Sequence, residues 1–143
     1  MKDLKKILQE NILYIAWVIT IFATAGSLFF SQVMGFPPCI LCWYQRIAMY
    51  PLVILLVVGI LRRDKGIYLY VLPLSIAGGF IAAYHNLLYY KILPESMQPC
   101  MLGVSCTTKQ IEWFGFITIP FMSLVAFIII TACMLIYRKV NKK

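Results

Sequence analysis

Charged residues are all but absent from four long stretches, and this pattern organises the rest of the chain. Ile12 to Met34, Trp43 to Leu61, Ile67 to Tyr90 and Phe114 to Tyr137 are overwhelmingly apolar, with Arg46 just inside the start of the second. Each reaches about the 17–25 residues a helix needs to cross a hydrocarbon core. Lipid offers no water to unpaired backbone groups, so each span must be a helix or part of a closed barrel. Barrel strands are about 10 residues long and alternate apolar with polar, whereas these runs are apolar all round. The pattern therefore predicts an all-α membrane protein, a four-transmembrane-helix bundle. At 143 residues it forms one integral membrane domain, 1–143, without room for a second.

Composition sharpens this. Apolar residues make up 62% and charged residues 13%, against about 45–50% and about 25% in ordinary globular chains. A small soluble domain has too much surface for so few charges to cover, and a disordered chain is poor in apolar residues. Both classes are excluded.

The net charge of +8 is informative through its placement. Lys2, Lys5 and Lys6, then Arg62, Arg63 and Lys65, then Arg138, Lys139, Lys142 and Lys143 account for ten of the thirteen basic residues. In a four-span hairpin these segments share one side, leaving Lys91, Lys109 and Arg46 for the other. By the positive-inside rule both termini are cytoplasmic, and the loops from Gly35 to Cys42 and from Lys91 to Trp113 face outward. The charge reads as topology plus attraction to anionic membrane lipid. No basic patch is interleaved with aromatics as nucleic-acid binding requires. Ala23-Thr24-Ala25 mimics a signal-peptidase site, but the apolar run exceeds the usual 7–15 residues of a signal sequence, so a retained first helix is expected. Tyr and Trp near the span ends read as an interfacial belt.

Four of the five cysteines fall in the two outward loops: Cys39 and Cys42, then Cys100 and Cys106. Cys133 lies within the fourth span and reads as packing. An extracytoplasmic setting permits disulfides. Of the three connectivities open to four cysteines, Cys39–Cys42 with Cys100–Cys106 needs the least loop closure. A bridge as short as Cys39–Cys42 restrains little of an unfolded chain, so this C-x-x-C pair suits exchange chemistry better than stapling. Pro37-Pro38 places it at the start of the second helix, where free N–H groups stabilise a thiolate. Arg46 is one turn beyond Cys42 and on the same face, where a permanent cation further depresses the Cys42 pKa. A snorkelling arginine is the plain alternative. His85, the only histidine, lies about 8 Å below the outer end of the third helix at 1.5 Å per residue. Arg46 and His85 are thus expected at similar depth. Ionisable groups inside a membrane point to function; a hydrogen bond to a neighbour is the plain alternative for His85. No nucleotide, flavin or haem motif is present, whereas a lipid-soluble quinone needs only an apolar slot, a hydrogen-bond donor and a thiolate.

Pro38-Cys39-Ile40-Leu41-Cys42-Trp43-Tyr44-Gln45-Arg46, with Tyr84-His85-Asn86, Cys100 and Cys106, Trp113-Phe114-Gly115 and Pro120, closely resembles the DsbB family of disulfide-bond formation proteins, especially its short BdbC-like members. The resemblance covers essentially the whole chain. It implies a multi-pass enzyme of the bacterial plasma membrane that reoxidises an extracytoplasmic thioredoxin-fold thiol oxidase (DsbA- or BdbD-like) and passes electrons to menaquinone or ubiquinone. Carried over residue by residue, Cys100 takes the partner's attack and Cys106 resolves it. Cys39 and Cys42 form the quinone-coupled pair with Cys42 against the ring, and Arg46 and His85 line the quinone pocket. This chain departs from the family in the short interval between Cys100 and Cys106, which restricts the tether for exchange between loops. Two other readings are a vitamin-K-epoxide-reductase-like enzyme, whose C-x-x-C usually comes late in the chain, and a four-cysteine metal site in a sensor or transporter.

Overall fold

The computed structural model describes residues 2–97, 99, 103–107 and 117–142. Four helices carry the chain: α1 (Lys2–Leu28), α2 (Ile40–Arg62), α3 (Tyr68–Tyr89) and α4 (Ile119–Lys142), each long and apolar enough to cross a membrane. The helices outrun the apolar stretches at one end. α1 begins at Lys2, well before Ile12, and α4 continues past Tyr137 to Lys142. Polar partners support these extensions, with Gln9 donating to Asn141 at 2.6 Å and Asn141 to the Lys65 carbonyl at 3.4 Å.

Those contacts also set the directions. The start of α1, the Arg62–Gly66 turn and the end of α4 meet at one end, where the Tyr137 hydroxyl donates to the Asp64 carbonyl at 3.2 Å. At the other end Arg46 of α2 reaches Ser27 of α1, and Asn86 of α3 donates to the Pro120 carbonyl of α4 at 2.9 Å. The helices run up, down, up, down, each packed against its two neighbours, with the α3–α4 contact the most extensive. One end is rich in lysine and arginine; the other holds Cys39, Cys42 and His85.

Between helices in lipid the hydrophobic effect has little to act on, and close packing takes its place. Phe127 of α4, 1% exposed, lies against Gly78 of α3 so closely that a Cβ there would overlap its ring. Leu52, Leu56, Val71, Ile130 and Met134 complete the buried centre, while Phe22 and Phe80, each 73% exposed, face outward as lipid contact requires. Cys133 packs against the edge of this core. Thr131 of α4 donates to Ser75 of α3 at 3.1 Å, a polar tie within the apolar interior.

Two irregularities shape the cysteine end. α1 closes in a π-helical turn, Phe29–Val33, and Gly35 then takes a positive φ of 68° that turns the chain out of the helix. Phe36-Pro37-Pro38 leads from there to the first residue before α2.

Candidate functional site

Cys39 is the N-cap of α2. Its backbone is extended (φ −73°, ψ 170°), and its sulfur accepts the backbone N–H of Cys42 at 3.4 Å, satisfying one of the donors that a helix start leaves free. Pro38 removes a competing N–H immediately before it and favours the extended approach. The C-x-x-C spacing then brings the Cys42 sulfur to 3.1 Å from that of Cys39. Both are free thiols, so this is the reduced form of the pair and the expected Cys39–Cys42 bridge is not formed in it. Cys39 is 6% exposed, yet its thiol is pulled down to about 4. The hydrogen bond from Cys42 contributes most, and His85 and the Cys42 backbone N–H add to it, against the opposing cost of burial.

Helical spacing puts the Arg46 charge one turn beyond Cys42, and the resemblance implies Cys42 as the thiolate against the ring. In the structure the thiol that is drawn down is that of Cys39, the sulfur that caps the helix and faces His85.

Behind Cys39 a polar chain runs through the bundle. Nε2 of His85 is 3.8 Å from the Cys39 sulfur and 3.2 Å from the Cys106 carbonyl, and Nδ1 is 3.0 Å from Nε2 of Gln45. The Ser123 hydroxyl lies 2.6 Å from Oε1 of Gln45 and 2.9 Å from the Pro120 carbonyl. His85 is 2% exposed and Gln45 7% exposed, so the centre of the chain is shielded. These bonds tie α2, α3 and α4 together where the dithiol sits.

On the other side of α2 lies a cavity of about 170 Å³. Cys42, Gln45, Arg46 and Met49, at helical spacings of three and four, form its α2 wall; Phe22, Ser27 and Phe30 come from α1 and its π-turn, and Met122 and Ser123 from α4. Arg46 is fixed there by donating through Nε to the Ser27 hydroxyl at 2.8 Å and through Nη2 to the Ser27 carbonyl at 2.9 Å. Its guanidinium also lies 5.6 Å from the Trp43 ring centroid. Tyr50 borders the same cavity, and its buried hydroxyl has no hydrogen-bond partner among the described residues.

Arg46 is therefore on the cavity wall. His85 is not among its lining residues; it meets Gln45, which is, and Cys39, whose sulfur meets that of Cys42. His85 meets Cys39 and Gln45, whereas Arg46 meets Ser27 and lines the cavity. Gln45, Ser27, Ser123 and Tyr50 are not singled out by the sequence. Their only signal there is that each is a polar or hydroxyl-bearing residue in an apolar run.

Cys106 is buried, 3% exposed, and disulfide-bonded. It packs with Cys39, Leu41 and Leu88 in a small apolar cluster, flanked by Leu93 from the second loop. The short tether thus does not hold Cys106 away from Cys39. A metal site built from all four loop cysteines has no Cys106 thiolate to use in this state. Cys100 and Trp113-Phe114-Gly115 lie outside the described residues.

No solved structure matches this chain. Residues 9–137 match the family model described as disulfide bond formation protein DsbB. The chain is 48% identical over 118 residues to disulfide bond formation protein C of Bacillus subtilis (strain 168), covering 82% of this chain and 86% of that one. It is 45% identical over 132 residues to probable disulfide formation protein C 1 of Bacillus anthracis, covering 92% and 94%. It is also 38% identical over 130 residues to a probable disulfide formation protein of Metapseudomonas resinovorans, covering 90% of each. A reduced C-x-x-C at a helix start, a disulfide packed beside it and four membrane-length helices agree with these matches: the chain belongs to the DsbB family of disulfide bond formation proteins, and is a multi-pass membrane protein-disulfide oxidoreductase.

Proposed function

We propose that the chain oxidises an extracytoplasmic thioredoxin-fold dithiol through the Cys100–Cys106 disulfide and sends the electrons through Cys39 and Cys42 to a quinone in the cavity beside α2. The observation that carries this reading is the position of Cys42, which lies 3.1 Å from the Cys39 sulfur on one side and borders the Arg46 cavity on the other. The basic end of the bundle is cytoplasmic by the positive-inside rule, so the cysteine end faces outward.

The cavity suits a quinone head group. Its wall is largely apolar, the Arg46 guanidinium and the Tyr50 hydroxyl supply donors for two carbonyl oxygens, and a sulfur lies on the same wall. When bound, a quinone supplies a sink for two electrons and two protons and leaves as quinol.

The residues of the chain do the rest. A thiolate of the partner attacks the loop disulfide, and the partner's second thiol displaces the mixed disulfide, so the partner leaves oxidised and the loop pair is left as two thiols. The loop pair then attacks a Cys39–Cys42 disulfide, and the packing of Cys106 against Cys39 supports that exchange. The loop is reoxidised and the helix pair reduced; free thiols at Cys39 and Cys42 beside a disulfide-bonded Cys106 support this step. A proton passing from Cys42 to Cys39 across the sulfur contact leaves a thiolate on Cys42 within reach of the Arg46 charge. Closing the Cys39–Cys42 bond releases two electrons into the cavity, and Arg46 and Tyr50 orient their acceptor.

The test uses the purified full chain in lipid nanodiscs with a reduced thioredoxin-fold dithiol and a water-tolerant quinone, following quinone absorbance. Wild type should reduce quinone catalytically and Cys42→Ser should not. Undiminished turnover by the Cys42→Ser chain would remove the proposed route.

A further inference from the structure

Cys39, Cys42 and His85 offer three ligand atoms that all lie within 4.8 Å of one another. We propose that the reduced dithiol and His85 form a site for a thiophilic divalent cation of the Zn²⁺ class, and that its occupation holds the chain in the reduced state. This goes beyond the electron route above and does not depend on it.

The geometry is close to what such an ion needs. Ligands bonded to zinc at about 2.1–2.3 Å on a tetrahedron stand about 3.5–3.8 Å apart. The Cys39 sulfur is already 3.8 Å from Nε2 of His85. The two sulfurs, at 3.1 Å, need to separate by about 0.7 Å to reach the tetrahedral edge, a shift within reach of the Cys42 side chain. The Cys106 carbonyl lies 3.2 Å from Nε2. Two thiolates and a divalent ion sum to zero charge, which suits a buried setting.

The surroundings also fit. To ligate through Nε2, a neutral imidazole must carry its proton on Nδ1 and find an acceptor for it. Gln45 is 3.0 Å away, and its amide can turn its oxygen toward Nδ1 without a change of shape. The amide nitrogen then donates to Ser123, 2.6 Å away, and Ser123 donates to the Pro120 carbonyl at 2.9 Å. That chain ends on the backbone.

Ligation forms two metal–sulfur bonds and one metal–nitrogen bond, with any remaining thiol protons released to solvent; no electrons move. A Cys39–Cys42 disulfide has no thiolate to offer, so the site exists only in the reduced chain, and the bound ion ties up the sulfurs that reoxidation needs.

The experiment titrates Co²⁺, then Zn²⁺, into the full chain in nanodiscs with no quinone or thiol partner present. The chain is either reduced with a non-chelating phosphine or oxidised with diamide, and its helicity is checked by circular dichroism. The reduced chain should bind one Co²⁺ with sulfur-to-cobalt charge-transfer and tetrahedral visible bands that Zn²⁺ abolishes. The oxidised chain, equally helical, should show neither. Cys39→Ser and Cys42→Ser should lose the charge-transfer band, and His85→Ala and His85→Gln should weaken binding at least tenfold. Equal binding by the oxidised chain, a charge-transfer band retained in Cys39→Ser, or unchanged affinity in both His85 variants would overturn the site. Because only metal binding is read, either this proposal or the electron route can fail while the other stands.

Discussion

Arg46 holds Ser27 twice, through the hydroxyl at 2.8 Å and the backbone carbonyl at 2.9 Å, which pins the guanidinium of α2 to the end of α1 at the cavity rim. A cation near the end of a span has other ways to be satisfied, chiefly by reaching to water. Here it is held by protein on one side, and its position relative to Cys42 is fixed.

The first prediction follows from that pair. Lysine keeps the charge of Arg46 but not the planar fork that meets two acceptors at once. Arg46→Lys should raise the apparent KM for quinone about tenfold, equal to about 1.4 kcal/mol. Ser27→Ala removes one of the two bonds, worth about 1 kcal/mol, and should raise it about fivefold. Both chains should stay folded, and steady-state kinetics at varied quinone would check both. No change in KM for either variant would remove the pair from quinone binding.

A second prediction concerns pH. The Cys39 thiol titrates near 4, below its ordinary value of 9.0, so its folded value is depressed. The stabilisation this gives the reduced chain is complete above the unfolded value and falls away as pH drops toward 4. Thiolate ultraviolet absorbance of the reduced chain, minus that of Cys39→Ser, should persist as pH is lowered and vanish only near 4. Replacing Cys42 with Ala should move that loss upward most, and His85→Ala by less. A midpoint near 9 in the wild type would refute the assignment of the thiolate to Cys39.

Third, the loops should join when their other sulfurs are removed. In the Cys42→Ser, Cys100→Ser double variant, Cys39 and Cys106 remain in one apolar cluster. A mild oxidant should yield an intramolecular Cys39–Cys106 bridge, seen by peptide mapping without reduction. Recovery of both as free thiols would mean that the loop does not reach the helix pair.

The fourth prediction tests packing alone. Alanine at Gly78 drives a methyl group into the Phe127 ring, an overpacking that typically costs about 1–3 kcal/mol. Gly78→Ala should lower the Tm of the purified chain, and Phe127→Leu added to it should recover part of the loss. Additive losses in the double variant would show that the two residues do not meet.

The long-range plan is legible in the sequence because it rests on composition along the chain: apolar runs show as spans, and lysine and arginine clusters show which ends meet. Cys39, Cys42 and Arg46 are legible because they are close in sequence and helical spacing fixes their relation. For His85 the sequence does not yield its partners, Cys39 and Gln45, since these depend on how α3 packs against its neighbours. Gln45, Ser123 and Ser27 escape for a similar reason. Each is an isolated polar residue, and only the meeting of three helices gives Gln45 both His85 and Ser123 as partners. The low value at Cys39 is unreadable because it depends on which sulfur turns back over the first turn of α2.

That turn links redox state to backbone. The sulfur that closes the helix start by accepting the Cys42 N–H is the one whose charge disappears when the disulfide forms, and a neutral disulfide sulfur accepts far more weakly. Each catalytic cycle should therefore loosen and retie the first turn of α2. Exchange of the Cys42 amide with deuterium should run slowly in reduced protein and quickly in oxidised protein, making one backbone proton a local gauge of how many electrons the enzyme holds.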